Sequence, residues 1–280
     1  MADNYLEKKY EEYKSRKEGR TNHPYNGRKT TVIHKTRRVF VTGGAEGIGK
    51  AIVRAFRSAG HRVAFCDRNE AAGKETALQT GTSFFHVDVS DQEALENCMQ
   101  QIFKEWGDID IIINNAGISC FSPITETGVE DFDRILSVNL RPVFITSRRL
   151  AIHRQSQEAP NPFGRIVNIC STRYLMSEPG SEGYAASKGG VAQITKAFCN
   201  EWAEKGINVN SIAPGYMATE MNTALLDPNN PRKEAITNRI PAKRWGTAED
   251  MKGPCVFMAS DASDYLNGAV IPVDGGYLVR

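Results

Sequence analysis

The segment GYAASKGG, residues 183–190, places Tyr184 four residues before Lys188. On an α-helix these two side chains would lie on the same face. A phenol is a poor base at neutral pH because its pKa is near 10, but a neighbouring ammonium favours its ionised form. The pair could therefore transfer a proton in acid–base catalysis.

Spacing alone does not single out this pair, because five of the nine tyrosines are followed by lysine at the fourth position. The other four are Tyr5, Tyr10, Tyr13 and Tyr25, and all of them lie in polar sequence before residue 38. The elements that surround Tyr184 must therefore distinguish it.

From residue 38 onward, short β-branched apolar runs alternate with longer helical patterns. The predicted strands span residues 38–42, 62–66, 83–87, 110–114, 165–169, 207–212 and 269–273. Parallel strands need crossover connections, so this alternation predicts an α/β, doubly wound parallel sheet of about seven strands with helices on both faces. Two capping boxes, Ser90 with Glu93 and Thr127 with Glu130, predict where two helices start.

Ligands of such sheets bind beyond the carboxyl ends of the strands. After the first strand, TGGAEGIG carries Gly43, Gly47 and Gly49 at a strand-to-helix turn. Missing side chains allow a tight bend there and let a pyrophosphate approach the free amides of the helix N-terminus. The segment predicts a dinucleotide site, and a merely flexible turn is the alternative.

Asp67 ends the second strand, where a carboxylate can accept hydrogen bonds from an adenosine ribose. The 2′-phosphate of NADP would be repelled by Asp67 and by Glu46, so these charges favour NAD as the cofactor. Two alternatives stay open. Asp67 could act only as a cap of the next helix, and Arg68 could turn toward a phosphate.

Polar residues also follow later strands. Asp88 stands after the third strand, and NNAG, residues 114–117, after the fourth, where short amides can hold polar groups of the cofactor. An ordinary turn is the alternative. Asn139 lies among apolar neighbours, where its amide needs internal partners or water.

Composition limits the kind of protein this is. The chain has 280 residues, 40% of them hydrophobic, and no apolar run approaches the roughly 20 residues that span a bilayer. The N-terminus lacks the apolar centre of a secretion signal, so we expect a cytoplasmic protein without membrane contact. The six cysteines and five histidines show no metal-ligand spacing, so we expect reduced cysteines and no metal ion.

In this order, TGGAEGIG, NNAG, Asn139, Ser171, YAASK and the PG pair at Pro214 resemble the short-chain dehydrogenase/reductase family. The resemblance covers about residue 38 to the C-terminus. It implies a single-domain Rossmann fold, a nicotinamide cofactor, hydride transfer between an alcohol and a carbonyl group, and a homotetramer.

By match to the family motif, the catalytic positions are Asn139, Ser171, Tyr184 and Lys188. Tyr184 would transfer the proton, Ser171 would orient the substrate oxygen, and Asn139 would hold a water in a proton relay. Lys188 would contact the nicotinamide ribose and lower the pKa of Tyr184. An ammonium about 6 Å away supplies roughly 3 of the about 4 kcal/mol needed, and we expect the positive nicotinamide ring to supply the rest.

The motifs and the resemblance together predict a set of cofactor contacts. These are Gly43, Glu46, Gly47, Ile48, Gly49, Asp67, Asp88, Val89, Asn115, Ala116, Gly117, Tyr184, Lys188, Pro214, Gly215, Met217 and Thr219. Thr219 matches the family position that contacts the nicotinamide amide.

The C-terminal third is similar to family members that act on sugar acids, the gluconate 5-dehydrogenases and 2-dehydro-3-deoxy-D-gluconate 5-dehydrogenases. The segment after the serine, STRYLMSEPGSEG, departs from them. There Arg173 could pair with a substrate carboxylate, or be solvated or paired internally. Tyr174 would suit a flatter substrate, and Tyr216 is a third candidate contact. A sugar acid or related polyol is therefore the preferred small-molecule substrate.

Other functions stay open. A hydroxysteroid dehydrogenase fits a more apolar substrate, and a 3-oxoacyl-carrier-protein reductase fits the fold, although such reductions usually draw on NADPH. A nucleotide-binding redox sensor or scaffold would need no base. The presence of both Tyr184 and Lys188 favours an enzyme.

Residues 1–36 are expected to form a basic arm, helical or partly disordered, ahead of a dinucleotide-binding catalytic domain that spans residues 37–280. Residues 1–38 hold 11 basic against 5 acidic side chains, and the remainder holds 24 against 28. Acidic residues interrupt the basic ones, and Leu6, Tyr10 and Tyr13 recur on one helical face. Docking on the body or on a neighbouring subunit is therefore favoured over nucleic-acid binding, with a solvated arm as the alternative.

Overall fold

The seven apolar runs predicted as strands are the strands of the computed structural model, which describes residues 35–158 and 161–279. The strands are β1 Arg38–Thr42, β2 Arg62–Asp67, β3 Ser83–His86, β4 Ile111–Asn114, β5 Gly164–Ile169, β6 Ile207–Pro214 and β7 Val270–Val273. The helices are α1 Gly47–Ser58, α2 Glu70–Thr80, α3 Gln92–Trp106, α4 Val129–Asn139, α5 Arg141–Gln155, α6 Glu182–Trp202, α7 Thr223–Leu226, α8 Pro231–Arg239 and α9 Lys252–Met258.

All seven strands pair in parallel, in the order β3-β2-β1-β4-β5-β6-β7. Chain order reverses beside β1, because β2 and β3 follow on one side of it and β4 to β7 on the other. Thr42 of β1 is paired with Asn114 of β4, so the two strands end at the same level. At such a switch point the loops leave in opposite directions and open a crevice.

The sheet is covered on both faces, because side chains that alternate along a strand point to opposite sides. In β1, Phe40 packs in one buried cluster with Met99 and Ile102 of α3. Its neighbour Val41 packs in a second cluster with Ile52 of α1. The predicted single-domain α/β architecture, a doubly wound Rossmann sheet, is confirmed.

The helix that follows β3 starts one residue later than the predicted capping box. Asp91 is its N-cap, and the Asp91 carboxylate accepts a hydrogen bond from the Ala94 amide at 3.0 Å. The Ser90 hydroxyl instead donates to Asp88 at 2.7 Å. The predicted pairing of Ser90 with Glu93 is therefore wrong, because a nearer carboxylate takes the serine hydroxyl.

The second predicted capping box is wrong by one residue as well. Helix α4 has Gly128 as its N-cap, without a side-chain cap. The Thr127 hydroxyl donates to the carbonyl groups of Ser122 and Pro123, at 3.3 and 3.1 Å. The Thr127 hydroxyl therefore bonds the preceding turn and does not cap the helix amides.

The predicted basic arm lies almost wholly outside the described residues, which begin at residue 35, so its structure stays a prediction. Residues 36–280 form one compact unit. Among the described residues, none of the helices has the length and apolar character that a membrane span needs. In the same part of the chain, no three histidine, cysteine or acidic side chains converge as metal ligands.

A chain of buried side-chain hydrogen bonds joins β4, β5 and β6. The Asn168 carbonyl oxygen accepts from the Asn114 amide at 2.8 Å, and the Asn168 amide donates to the Thr195 hydroxyl at 2.9 Å. Thr195 shares a hydrogen bond of 2.7 Å with Ser211. None of these four residues is more than 4% exposed, so each depends on the others for its partners.

Replacing the central residue of this chain should destabilise the fold strongly. Asn168→Ala leaves the buried Asn114 amide without its acceptor and removes one of the partners of Thr195, so we expect it to lower the free energy of unfolding by about 2–4 kcal/mol. Urea titration followed by circular dichroism measures the loss. The control is Asn229→Ala at an exposed position, which should change the value by less than about 0.5 kcal/mol. Equal effects of the two variants would contradict the assigned role of the buried chain.

Candidate active site

A cavity of about 740 Å³ opens at the carboxyl edge of the sheet. Six strands contribute to its lining at or just after their ends, through Gly43, Asp67, Asp88, Asn115, Ser171 and Gly215. Every residue predicted to contact the cofactor lines this cavity. The fold therefore brings together residues that are up to 176 positions apart in the sequence, from Gly43 to Thr219.

The glycine turn after β1 has the shape of an anion cradle. Gly43 and Gly47 have positive φ angles, +66° and +52°, which other residues rarely adopt. A Cβ atom on Gly49 would lie 1.9 Å from the Gly43 carbonyl oxygen, so only glycine lets α1 start this close to β1. Glu46, the N-cap of α1, makes no side-chain hydrogen bond to the helix amides. Glu46 therefore leaves the backbone amides at the start of α1 uncapped. A pyrophosphate needs such free amides to bind there.

The segment after β4 fixes this turn in place. The Asn115 side-chain amide donates to the carbonyl groups of Thr42 and Gly43, at 3.1 and 2.8 Å. The Thr42 hydroxyl in turn accepts from the backbone amides of Asn115 and Ala116, both at 3.1 Å. Asn115 was predicted to hold a polar group of the cofactor. It lines the cavity, but its amide nitrogen already holds the glycine turn.

Acidic groups gather at the ends of β2 and β3. The two carboxylate oxygens of Asp67 accept from the backbone amides of Ala45 and Asn69, at 3.0 and 2.9 Å. Burial raises the pKa of the Asp88 carboxyl, but two hydrogen bonds from Ser90 outweigh it, so this pKa lies below its ordinary value. Asp67 lines the cavity and holds local backbone, but Asn69 is the N-cap of α2, so the alternative of Asp67 as the helix cap is wrong and its contact with the ribose stays a prediction.

The end of β5 and helix α6 meet on the other side of the cavity. Ser171 follows β5, and its hydroxyl is hydrogen-bonded to the phenol of Tyr184 on α6. The Lys188 ammonium, one turn further along α6, donates to the Ile169 carbonyl at 2.8 Å. It lies 5.7 Å from the centre of the Tyr184 ring. A hydroxyl, a phenol and a cation therefore converge at one wall.

Burial dominates the titration of this pair in the protein alone. It raises the pKa of the Tyr184 phenol above its ordinary value of 10.0, against the opposing effects of the Ser171 hydrogen bond and the Arg173 charge. Burial also lowers the pKa of Lys188. The structure therefore corrects the expectation that the lysine alone nearly suffices to make the phenol acidic.

Asn139 does not line the cavity with the other predicted catalytic residues. It is 1% exposed at the end of α4, and its amide exchanges two hydrogen bonds with the backbone of Ile118, at 2.8 and 2.9 Å. A third bond reaches the Ser187 hydroxyl at 3.1 Å. Asn139 thus joins the segment after β4 to α6. A Cβ on Gly117 would lie 3.5 Å from its Oδ1 and 3.6 Å from Lys188 Nζ, so Gly117 separates the two polar groups.

The structure places the two neighbouring candidates for substrate contact, Arg173 and Tyr174, in different surroundings. Residues Thr172–Tyr174 form a 3-10 turn, in which successive side chains point in directions about 120° apart. Arg173 lines the cavity with Tyr216. Tyr174 is not among the lining residues and packs against the apolar cluster that contains Val143. Tyr174 thus lies apart from Arg173 and Tyr216, and its contact with the substrate stays a prediction.

Comparison with known proteins assigns the family. A family model described as enoyl-(acyl carrier protein) reductase matches residues 43–278. The chain belongs to the short-chain dehydrogenase/reductase family. As a member, it is an oxidoreductase that uses a nicotinamide cofactor.

The relatives include enzymes of sugar acids. The chain is 38% identical over 246 residues to a 2-dehydro-3-deoxy-D-gluconate 5-dehydrogenase of Pseudoalteromonas atlantica, covering 86% of this chain and 95% of the relative. It is 36% identical over 249 residues to a gluconate 5-dehydrogenase of Gluconobacter oxydans, covering 86% and 94%. A solved gluconate 5-dehydrogenase of Burkholderia cenocepacia, in complex with NADP and tartrate, matches with a TM-score of 0.80 and 34% identity, covering 87% and 96%. The predicted resemblance to this family and to its sugar-acid members is confirmed.

Sequence reasoning missed part of the wall beside Arg173. Glu178 and Arg232 line the cavity there, and Phe121 lies at the same wall with its ring centre 6.1 Å from that of Tyr184. No local sequence signal connects Glu178 with Arg232, because 54 residues separate them.

The raised pKa of Tyr184 leads to a test in the cofactor-free protein. Because burial disfavours the phenolate, we expect Tyr184 to keep its proton through neutral pH. The difference in tyrosinate absorbance between wild type and Tyr184→Phe should stay near zero up to about pH 10. Tyr265→Phe removes a fully exposed phenol and calibrates the signal of one residue. A Tyr184 transition near pH 7 would show that Lys188 outweighs burial.

Proposed function

We propose that the protein is an NAD-dependent dehydrogenase that interconverts a secondary alcohol and a ketone on a sugar acid or related polyol. The convergence of Ser171, Tyr184 and Lys188 at one wall of the cavity carries this proposal. When bound, the nicotinamide cofactor supplies a hydride acceptor or donor with a ring that is positive in the oxidised form. The glycine turn and the uncapped start of α1 fit its pyrophosphate.

Each of the three side chains has a distinct task. The Ser171 hydroxyl orients the substrate oxygen toward the phenol to which it is hydrogen-bonded. Tyr184 accepts the alcohol proton in oxidation and returns it in reduction. Lys188 keeps a positive charge near the phenol, held by the Ile169 carbonyl. We also propose that Asn139 acts by positioning the Ile118 segment, where a water of the proton relay would bind.

Burial of the Tyr184 phenol affects when this residue can act as a base. Because the pKa of Tyr184 is raised in the protein alone, Lys188 does not make it a base by itself. A second positive charge beside the phenol would lower this pKa, since it favours the phenolate. We infer that Tyr184 becomes an effective base only in the protein loaded with oxidised cofactor.

The proposal of NAD rests on the carboxylates near the end of β2. Asp67 and Glu46 both line the cavity, and Glu46 accepts a hydrogen bond from Asn69 at 3.2 Å, just beyond Asp67. A 2′-phosphate at this place would meet two negative groups. Arg68 also lines the cavity and would favour a phosphate. The Burkholderia cenocepacia relative holds NADP, so a preference for NAD would distinguish this chain from it.

The names of the relatives and the charges of the wall support a sugar acid as substrate. Relatives in several organisms are named as dehydrogenases of gluconate or 2-dehydro-3-deoxy-D-gluconate. Arg173, Glu178 and Arg232 make the wall beyond Ser171 polar and charged. A hydroxysteroid offers no negative group to this wall and would leave Arg173 Nη1 without an acceptor. We therefore favour the sugar acid over a steroid or an acyl thioester.

The family resemblance and the exposed apolar side chains also bear on how the enzyme assembles. We propose a cytoplasmic homotetramer, as the family resemblance implies. Large apolar side chains stay exposed on two helices, Phe144 and Ile152 on α5 and Phe257 on α9. Contacts between copies would remove this apolar surface from water.

Removing the phenol hydroxyl separates an enzyme from a nucleotide-binding sensor. We expect Tyr184→Phe to lower kcat for alcohol oxidation at least about 1000-fold, because no other group in the wall replaces this acid–base function. NADH affinity, measured by fluorescence titration, should change by less than about twofold. The exposed variant Tyr265→Phe is the matched control. Normal turnover by Tyr184→Phe would refute the assignment.

Neutralising one carboxylate tests the cofactor preference. For wild type we expect kcat/KM to be higher with NAD than with NADP. Asp67→Asn keeps one hydrogen-bonding oxygen but removes the charge, so it should shift the NADP/NAD ratio of kcat/KM upward by about 10- to 100-fold. Asp133→Asn, on an exposed part of α4, is the control. A wild-type preference for NADP, or an unchanged ratio in Asp67→Asn, would contradict the proposal.

A further inference from the structure

Arg173 is held in a compact cluster at the substrate end of the cavity. The residue is only 7% exposed. Its Nη2 donates to the Tyr216 hydroxyl at 2.9 Å and contacts Glu178 Oε1 at 2.5 Å. The Tyr216 hydroxyl donates to the same Glu178 oxygen at 2.5 Å, and Arg232 of α8 pairs with the other oxygen at 2.8 Å. Glu178 therefore uses both oxygens within the cluster.

The second terminal nitrogen of the same guanidinium has no partner. Arg173 Nη1 is buried and makes no hydrogen bond among the described residues. Leaving a charged donor buried without an acceptor is costly, so such an atom calls for a partner, which a bound ligand or an ordered water can supply. Because Arg173 lines the cavity, a bound molecule could supply this acceptor.

The charges of the cluster indicate what kind of molecule this is. Burial raises the pKa of Glu178, but hydrogen bonds from Tyr216 and the two arginines outweigh it, so this carboxyl is ionised. Burial and the Glu178 hydrogen bond raise the pKa of Tyr216, so this phenol is neutral. Two arginines and one carboxylate leave one positive charge in excess. The cluster thus lacks one negative charge and one acceptor.

We propose that Arg173 is the residue that selects the substrate, by binding its carboxylate through Nη1 with Glu178 as the internal counter-ion. This inference rests on the proposed function and names the substrate group that the site recognises. One carboxylate supplies the missing charge and the missing acceptor. A phosphate would bring nearly two charges next to the Glu178 carboxylate, which would repel the second.

The position of Arg173 couples this recognition to the reaction. Its backbone amide donates to the Ser171 hydroxyl oxygen at 3.2 Å, so the carboxylate site begins two residues from the serine that orients the reacting oxygen. The charged groups at the cofactor end are placed differently. Glu220 lies against Gly47 in the glycine turn, and Asp67 holds the end of β2. The excess positive charge of the cluster is therefore at the substrate end.

The experiment compares ligands that differ in the carboxylate alone. D-gluconate and D-glucitol share their chain of hydroxyls, but glucitol has a hydroxymethyl group in place of the carboxylate. Calorimetry measures the binding of each to the NADH-loaded enzyme. Wild type should bind gluconate at least about tenfold more tightly than glucitol, and Arg173→Gln should lose about 10- to 100-fold in gluconate affinity with little change for glucitol.

Two further variants keep the test decisive. Arg244→Gln removes an arginine that pairs with Asp250 outside the cavity, and should leave gluconate affinity unchanged. Arg173→Lys keeps the charge but loses the forked guanidinium, so it should also weaken gluconate binding, and it replaces Arg173→Gln if that variant does not fold. NADH affinity and thermal unfolding verify that each variant is intact.

The outcomes separate this inference from the proposed function. Equal gluconate affinity in wild type and an intact Arg173 variant would overturn the carboxylate site, as would wild type that binds gluconate no better than glucitol. Gluconate that binds through Arg173 but is not oxidised would support the site while refuting gluconate as the substrate. Turnover that survives Tyr184→Phe would refute the proposed mechanism and leave the binding result intact.

Discussion

The hydrogen bond from the Lys188 ammonium to the Ile169 carbonyl is the interaction on which the site depends. A buried cation needs an acceptor, and here the last residue of β5 provides it at 2.8 Å. Two further contacts join the same elements. The Cys170 thiol donates to the Lys188 carbonyl at 3.2 Å, and the Ser171 hydroxyl bonds the Tyr184 phenol. Three successive residues at the end of β5 therefore align α6, so the packing of β5 on α6 sets the geometry of the candidate site.

The two ends of the cavity carry different charge, and this difference indicates which ligand would bind at each end. Near the glycine turn, Asp67 and Asp88 hold local backbone amides and keep negative charge at the end of β2 and β3. Beyond Ser171, the arginine cluster carries an excess positive charge. We propose that a dinucleotide without a 2′-phosphate binds at the first end and an anionic substrate at the second. The reacting groups lie where the two ligands would meet.

The sequence predicted the parts of the fold that local chemistry determines. The strands were found because their apolar runs are buried on both faces, as in β4 and β5. The cofactor wall followed from residues at strand ends. Contacts between distant loops were not predictable, because nothing local relates Glu178 to Arg232. The raised pKa of Tyr184 was missed because burial depends on the packed structure, whereas the spacing of Tyr184 and Lys188 shows only their attraction.

The turn after β5 connects the proposed substrate contact of Arg173 with Ser171. Within the 3-10 turn, the Arg173 amide donates to the Ser171 hydroxyl oxygen, the Arg173 side chain enters the charged cluster, and Tyr174 packs against the core. A residue inserted or deleted here would rotate each side chain by about 120° and exchange these destinations. The turn therefore ties the position of Arg173 in the cavity wall to the position of Ser171.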